Sequence, residues 1–146
     1  MEKRIQIDVA EPAAYEAIYA LENYLNQSQL SKTHKELIKL RTSQLNGCAF
    51  CIDMHTRDAL KNGESQQRLF LLSVWKETDV FSEEEKVLLQ MVEEVTMIHE
   101  KGLTAETYQK AVERFDEHYF SQIIMAIVTI NVWNRVAIST HKPLLN

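Results

Sequence analysis

From the N-terminus the chain first alternates apolar and polar residues: Ile5, Ile7 and Val9 are separated by Gln6 and Asp8. A period of two predicts a short extended lead-in over residues 1–11, too short to build a sheet and expected to lie across the rest of the molecule. From Pro12 the spacing becomes helical. Pro12 suits a first helical turn, and Tyr15, Ile18, Tyr19, Leu21 and Leu25 predict a helix over about 12–27. Ser31 can cap a second helix, carried by Leu37, Ile38, Leu40 and Leu45 and ending near Asn46-Gly47. A third runs from about Cys48 to Asn62, with Gly63 just past its end, and a fourth covers about 65–75. After a break at Asp79-Val80-Phe81, Ser82 and Glu85 form a capping box, and the acidic run Glu83–Glu85 complements the positive helix start. Val87, Leu88, Met91, Val92, Val95 and Ile98 extend that helix toward Gly102. Thr104 caps a sixth helix over about 105–116. The last helix, about 119–140, is apolar over a wide face (Phe120, Ile123, Ile124, Ile127, Val128, Val132, Val136), so it is expected to be buried centrally or covered by a partner subunit. With no internal repeat and no linker, the pattern predicts one all-α domain, a bundle of six to seven helices.

Composition supports this. The 146 residues include three glycines and two prolines, far too few for the turns of a β-sandwich or barrel. Sixteen basic against 21 acidic residues give a net charge of −5, which argues against a nucleic-acid partner. The longest uninterrupted apolar run, Ile123 to Val128, is six residues, whereas a membrane span needs about 20. The N-terminal segment lacks the apolar stretch of a signal peptide, so the expectation is a cytoplasmic protein with no membrane partner. The two cysteines, Cys48 and Cys51, are three residues apart and cannot staple distant segments. In a reducing compartment such a pair is expected to be redox-active or metal-binding.

The segment from Glu36 to His55 carries the chemistry. Counting about 100° per residue, Cys48, Cys51 and His55 fall within roughly 60° on one helix face. Ile52 and Ala59 share that face, so it is expected to point inward, with Asp53, Arg57 and Lys61 on the other side. The arrangement suits thiol redox chemistry, in which the thiolate is the nucleophile. A helix N-terminus lowers a thiol pKa, which favours Cys48, whereas a neighbouring imidazole able to take the proton favours Cys51. Oxidation of one thiolate to a sulfenic acid, followed by attack of the other thiol, closes a disulfide and releases water.

These residues resemble a known family. The stretch Glu36-Leu-Ile-Lys-Leu-Arg-Thr-Ser-Gln-Leu-Asn-Gly-Cys48-Ala-Phe-Cys51-Ile-Asp-Met-His55 resembles the core motif of the AhpD-like alkylhydroperoxidases, within the carboxymuconolactone decarboxylase superfamily. Their pattern is a glutamate, eleven residues, CxxC, three residues and a histidine, and Glu36, Cys48, Cys51 and His55 match each fixed position. Trp75-Lys76-Glu77, Phe81-Ser82 and Ile130-Asn131-Val132-Trp133-Asn134-Arg135 resemble later parts of the family, so the resemblance spans about residues 10–140. It implies an all-helical fold and a thiol-dependent hydroperoxide reductase that cycles the CxxC between dithiol and disulfide. It implies that Cys51 attacks the peroxide, that Cys48 resolves the intermediate, and that Glu36 and His55 relay protons. General-base access at the moment of attack also favours Cys51. The implied partners are a small hydroperoxide, a dithiol reductant (a lipoyl group or a thioredoxin-like protein) and further copies of the chain in a homotrimer or homohexamer. One departure stands out: where some members carry a second histidine beside the second cysteine, this chain has Phe50.

Other features weigh less. Cys48, Cys51, His55 and Glu36 could in principle ligate zinc, but three of them face the same way along one helix, so closing a tetrahedral shell rests on Glu36 alone. No cofactor and no resident metal is called for. His34, His99, His118 and His141 share no spacing and are expected at the surface, while Trp75 and Trp133 are expected in the core or at an interface. Asn131, Asn134 and Arg135, in an otherwise apolar helix, could anchor an interface or a supporting polar network. The competing readings of function are an oligomeric redox-sensing or metal-holding protein without peroxidase turnover, and a superfamily enzyme acting on a non-peroxide substrate.

Overall fold

Ser31 opens the helix that organises the bundle. Its hydroxyl accepts the backbone N–H of His34 at 3.1 Å, and the helix runs from Lys32 to Asn46. It stops because Gly47 adopts φ +70°, a conformation glycine reaches without the penalty of a Cβ. Gly47 N–H then donates to the Gln44 carbonyl at 3.2 Å and Cys48 N–H to the Ser43 carbonyl at 3.0 Å. This is the paired closure of a Schellman motif, which satisfies carbonyls that a helix end leaves orphaned.

The computed structural model describes residues 2–144, and among them it holds eight α-helices and one 3-10 stretch, with no strand. The helices are α1 (Ile7–Ala10), α2 (Pro12–Asn26), α3 (Lys32–Asn46), α4 (Ala49–Lys61), α5 (Gln66–Leu71), α6 (Glu83–Thr96), α7 (Ala105–Val112) and α8 (Glu117–Ser139), with the 3-10 stretch at Leu72–Glu77. The expected all-α class is observed, but the count of six to seven helices is low. The N-terminal lead-in is one helical turn rather than an extended segment. Its alternating Ile5 and Val9 remain largely exposed, and Val9 and Ala10 donate instead to the Gln6 carbonyl. The segment is tethered where α8 ends: Gln6 donates to the Thr140 carbonyl at 2.9 Å and Lys142 pairs with Asp8 at 2.9 Å.

Two further boundaries differ from the periodic pattern. The expected fourth helix breaks into α5 and the 3-10 stretch, with Val74 outside helical geometry. Helix α6 stops at Thr96, short of Gly102. The Glu94 carboxylate accepts from Thr104 N–H at 2.8 Å and from the Thr107 hydroxyl at 2.7 Å, which pulls the chain back toward α6 and starts α7. The start of α6 is as expected. Ser82 and Glu85 form the full capping box, and the Glu85 carboxylate also holds Arg68 at 2.6 Å, pinning α5 to α6.

Helices α3 and α8 lie at the centre, α3 packing on α4, α6 and α8. Leu37, Ile38 and Leu40 of α3 join Leu88, Leu89, Met91 and Val92 of α6 and Ile123, Ile127 and Ile130 of α8 in one core. Burying each such side chain contributes about 1.5–3 kcal/mol. By length and composition α8 could cross a membrane, being 23 residues with a mean hydropathy of 1.3 over an 18-residue window. Here it is the core helix, and Thr129, Asn134 and Ala137 are buried along it with the isoleucines.

The αL conformation of Gly47 generates a prediction. No atom lies within 4 Å of a Cβ placed there, so Gly47→Ala is disfavoured by backbone conformation alone, by about 1–2 kcal/mol. Gly47→Asn should lose less. Urea unfolding midpoints check this, and an unchanged midpoint for the alanine variant would show that the turn does not depend on this conformation.

Candidate active site

Cys48 belongs to two helices at once. Its N–H closes α3, and it is also the N-cap of α4, with its Sγ accepting the Cys51 backbone N–H at 3.3 Å. Sulfur here takes the place that a serine or aspartate oxygen usually fills. The i to i+3 geometry of the cap brings the two side chains together, and Cys48 and Cys51 form a disulfide. Both are buried, at 1% and 2% exposure, packed with Ala137 of α8 and against Phe50. The position that departs from the family pattern therefore packs an apolar ring against the cysteine pair.

The inward face of α4 continues with His55 and Ala59, both buried. His55 Nδ1 is shielded from solvent and finds no hydrogen-bond partner among the described residues. Burial, assisted by the positive charge of Lys39, pulls the imidazole pKa from 6.5 down to about 3, so His55 is neutral at physiological pH. Glu36 projects from α3, which packs against α4. It is buried, and among the described residues its Oε2 also lacks a hydrogen-bond partner. Burial pushes its carboxyl pKa up, reinforced by Asp58 and opposed by Lys39 and a hydrogen bond from Asn62. Lys39 thus acts on both groups, lowering the pKa of each.

A cavity of about 350 Å³ opens beside Glu36, lined also by Lys32, Ala59, Asn62 and Arg68. A larger groove of about 1020 Å³ runs along α6 and α7, but none of the four candidate residues lines it. Size alone therefore does not locate the chemistry. Among the described residues no three Cys, His, Asp or Glu side chains converge as a metal site would require.

The structure thus gathers Cys48, Cys51 and His55 on one buried face and sets Glu36 on the helix packed against it. Glu36, an ordinary surface carboxylate when considered alone, is buried. His34 is likewise not at the surface. It is buried, with Nδ1 2.7 Å from the Tyr119 hydroxyl and Nε2 3.5 Å from Glu84. Trp75 is in the core, its indole N–H donating to Glu93 at 2.8 Å. Sequence reasoning did not reach Lys39 or Ala137, and neither has a motif that would reveal it. It did single out Asn131 and Asn134, through the signal of amides inside an apolar helix.

Comparison with known proteins places this architecture. The sequence profile of the carboxymuconolactone decarboxylase family matches residues 12–94. The uncharacterized protein YdfG of Bacillus subtilis is 42% identical over 139 residues, spanning 95% of each chain. A protein of unknown function from Agrobacterium tumefaciens, for which an AhpD antioxidant-defence role has been suggested, is 39% identical and superposes with a TM-score of 0.96 over 99% of both chains. An AhpD-core, peroxidase-related protein from Ralstonia eutropha shares the fold, with a TM-score of 0.83 over 95% of this chain and 74% of its own at 16% identity. The debrominase Bmp8 shares it too, with a TM-score of 0.82 over 93% of this chain and 73% of its own, also at 16% identity. The chain belongs to the carboxymuconolactone decarboxylase family and is of the AhpD-like kind.

The depressed His55 pKa makes a signed prediction. Between about pH 6.5 and 3 the unfolded chain binds a proton on this histidine that the folded chain refuses, so stability falls as pH falls through that window. The raised Glu36 pKa acts in the opposite sense and is present in both proteins to be compared. The stability difference between wild type and His55→Gln should therefore shift against the wild type by about 1.4 kcal/mol per pH unit as pH falls from 6 to 4. Denaturant unfolding at several pH values measures it, and a constant difference would mean that His55 titrates as in an unfolded chain.

Proposed function

We propose that the chain is a thiol-dependent hydroperoxide reductase that cycles Cys48 and Cys51 between dithiol and disulfide. The observation that carries this reading is the disulfide itself, closed across one helical turn with a buried neutral histidine on the same face. In the reduced state Cys51 lies one turn from His55, and its proton leaves through that neutral imidazole, which accepts a proton on one ring nitrogen as it releases one from the other. The thiolate attacks the terminal peroxide oxygen, the O–O bond breaks, and the departing alkoxide takes a proton to leave as an alcohol. Cys51 is then a sulfenic acid. The Cys48 sulfur attacks the Cys51 sulfur, expels water and restores the disulfide. A dithiol reductant, a lipoyl group or a thioredoxin-like protein, returns two electrons and two protons by thiol–disulfide exchange. Glu36, whose carboxyl pKa is raised by burial, serves as the far end of the proton relay through His55.

Phe50 and Ala137 make the approach to the sulfurs apolar, which suits an organic hydroperoxide with an alkyl substituent. The assembly is a homotrimer or homohexamer. Val128 and Ile138 of α8, together with Tyr19 and Tyr24 of α2, leave apolar surface for neighbouring copies to cover. Such an enzyme operates in the reducing cytoplasm, where its disulfide is regenerated rather than stored.

The reading is tested by titrating free thiols before and after one equivalent of an organic hydroperoxide. Wild type should lose two thiols per chain. Cys51→Ser should lose peroxide consumption, on the order of 100-fold or more, and Cys48→Ser should complete one attack and hold a sulfenic acid that a dimedone probe captures. Peroxide consumption unchanged in both variants would sink the proposal.

A further inference from the structure

We infer that Asn134 and Asn46 are positioning residues for Cys48: through Ser43 they set the backbone joint from which the Cys48 sulfur reaches its partner. This rests on the reading that the cysteine pair cycles, and it adds residues that the motif does not contain.

The joint is short. Asn46 ends α3, Gly47 turns the chain, and Cys48 begins the cap of α4. The Cys48 backbone is held by its N–H bond to the Ser43 carbonyl at 3.0 Å. Ser43 is fully buried, and its hydroxyl accepts from Asn134 Nδ2 at 3.1 Å. Asn134 is also fully buried, and its Oδ1 accepts from Asn46 Nδ2 at 2.9 Å. One amide of α8 therefore grips the joint at two points, three residues apart on α3. Asn46 is gripped a second time, donating to Asn131 Oδ1 at 3.0 Å. Asn131 is in turn fixed by its bond to the Ile127 carbonyl at 2.9 Å and by Arg135, which donates to its Oδ1 at 2.6 Å. One turn beyond Asn134 on the same helix, Ala137 packs with the two cysteines.

Burying an amide is unfavourable unless it is hydrogen-bonded, whereas a leucine of similar size would fill the space without that penalty. What the amide supplies here is geometry. A disulfide forms readily when its two thiols are held at the closing distance, and looseness in either anchor lowers their effective concentration. Cys51 sits within the first turn of a 13-residue helix and needs no further anchor. Cys48 stands outside the helix, on a glycine joint, and depends on the α8 clamp. Without the clamp the dithiol gains freedom, the Cys48 sulfur leaves the α4 cap, and the disulfide becomes easier to reduce.

The test is an equilibrium with dithiothreitol in defined ratios of its reduced and oxidised forms. The protein disulfide accepts two electrons and two protons, and dithiothreitol gives them up as it closes to its cyclic disulfide. The oxidised fraction is read by mass after alkylation of free thiols. Asn134→Leu and Asn46→Ala should each move the equilibrium toward the dithiol by about tenfold, which for a two-electron couple is about 30 mV. Thr107→Ala, which cuts a pin between α6 and α7 away from this joint, should leave the equilibrium unmoved while still lowering stability. If Asn134→Leu does not fold, Asn46→Ala decides the question, since Asn46 is only half-buried at the helix end. A wild-type equilibrium in the folded variants, or an equal shift in Thr107→Ala, overturns the inference. Because the readout needs no peroxide, a wild type that ignores hydroperoxide but shows these shifts refutes the proposed activity and leaves the positioning role standing.

Discussion

The hydrogen bond from Cys48 N–H to the Ser43 carbonyl is the contact on which the site depends. It closes the bundle's organising helix and at the same moment places the first residue of the redox helix. A helix end must satisfy its last carbonyls, and a helix start must satisfy its first N–H groups. In most proteins these two requirements are met by separate residues with a loop between them. Here one residue meets both, backbone to the helix behind and sulfur to the helix ahead. Only Gly47 intervenes, and its positive φ makes so tight a joint possible. The cysteine is thus held by the demands of helix termination on both sides.

Burial then gives the site its chemical character. Removed from water, the His55 imidazole stays neutral and the Glu36 carboxyl pKa is pushed above its ordinary value. Each has a polar atom without a hydrogen-bond partner among the described residues, and such a pair is suited to passing a proton rather than holding a charge. Lys39 lies near both and biases them in the same direction, favouring a negative carboxylate and a neutral imidazole. The two cysteines share this buried surrounding, packed with Ala137 and Phe50. The same fold in a debrominase illustrates that the helical frame does not dictate the reaction, which depends on what lines the site.

What was legible in the sequence follows a physical boundary. Ser31, Ser82, Thr104 and the Asn46-Gly47 ending were readable because a cap is an interaction over three or four residues, written entirely in local order. The common face of Cys48, Cys51 and His55 was readable for the same reason, since a helix converts spacing directly into direction. The end of α6 was not, because Glu94 is held by residues 10 and 13 positions away, across a turn that periodicity does not register. His34 was misplaced because its partner Tyr119 is 85 residues distant. The N-terminal turn was misread because alternation in a short exposed segment reflects no buried face.

The sequence by itself determined the class of fold, the helix caps and the clustering of two thiols and an imidazole, all set by local hydrogen bonding and helical period. Tertiary structure alone decided that Glu36 is buried rather than exposed, that the sulfurs are covered by α8, and that Asn134 reaches Ser43 and Asn46 across about 90 residues of chain. Desolvation is the reason for the difference. Whether a carboxyl, an imidazole or an amide is ordinary or exceptional depends on which surfaces exclude water from it, and those surfaces come from helices that spacing along the chain does not bring together.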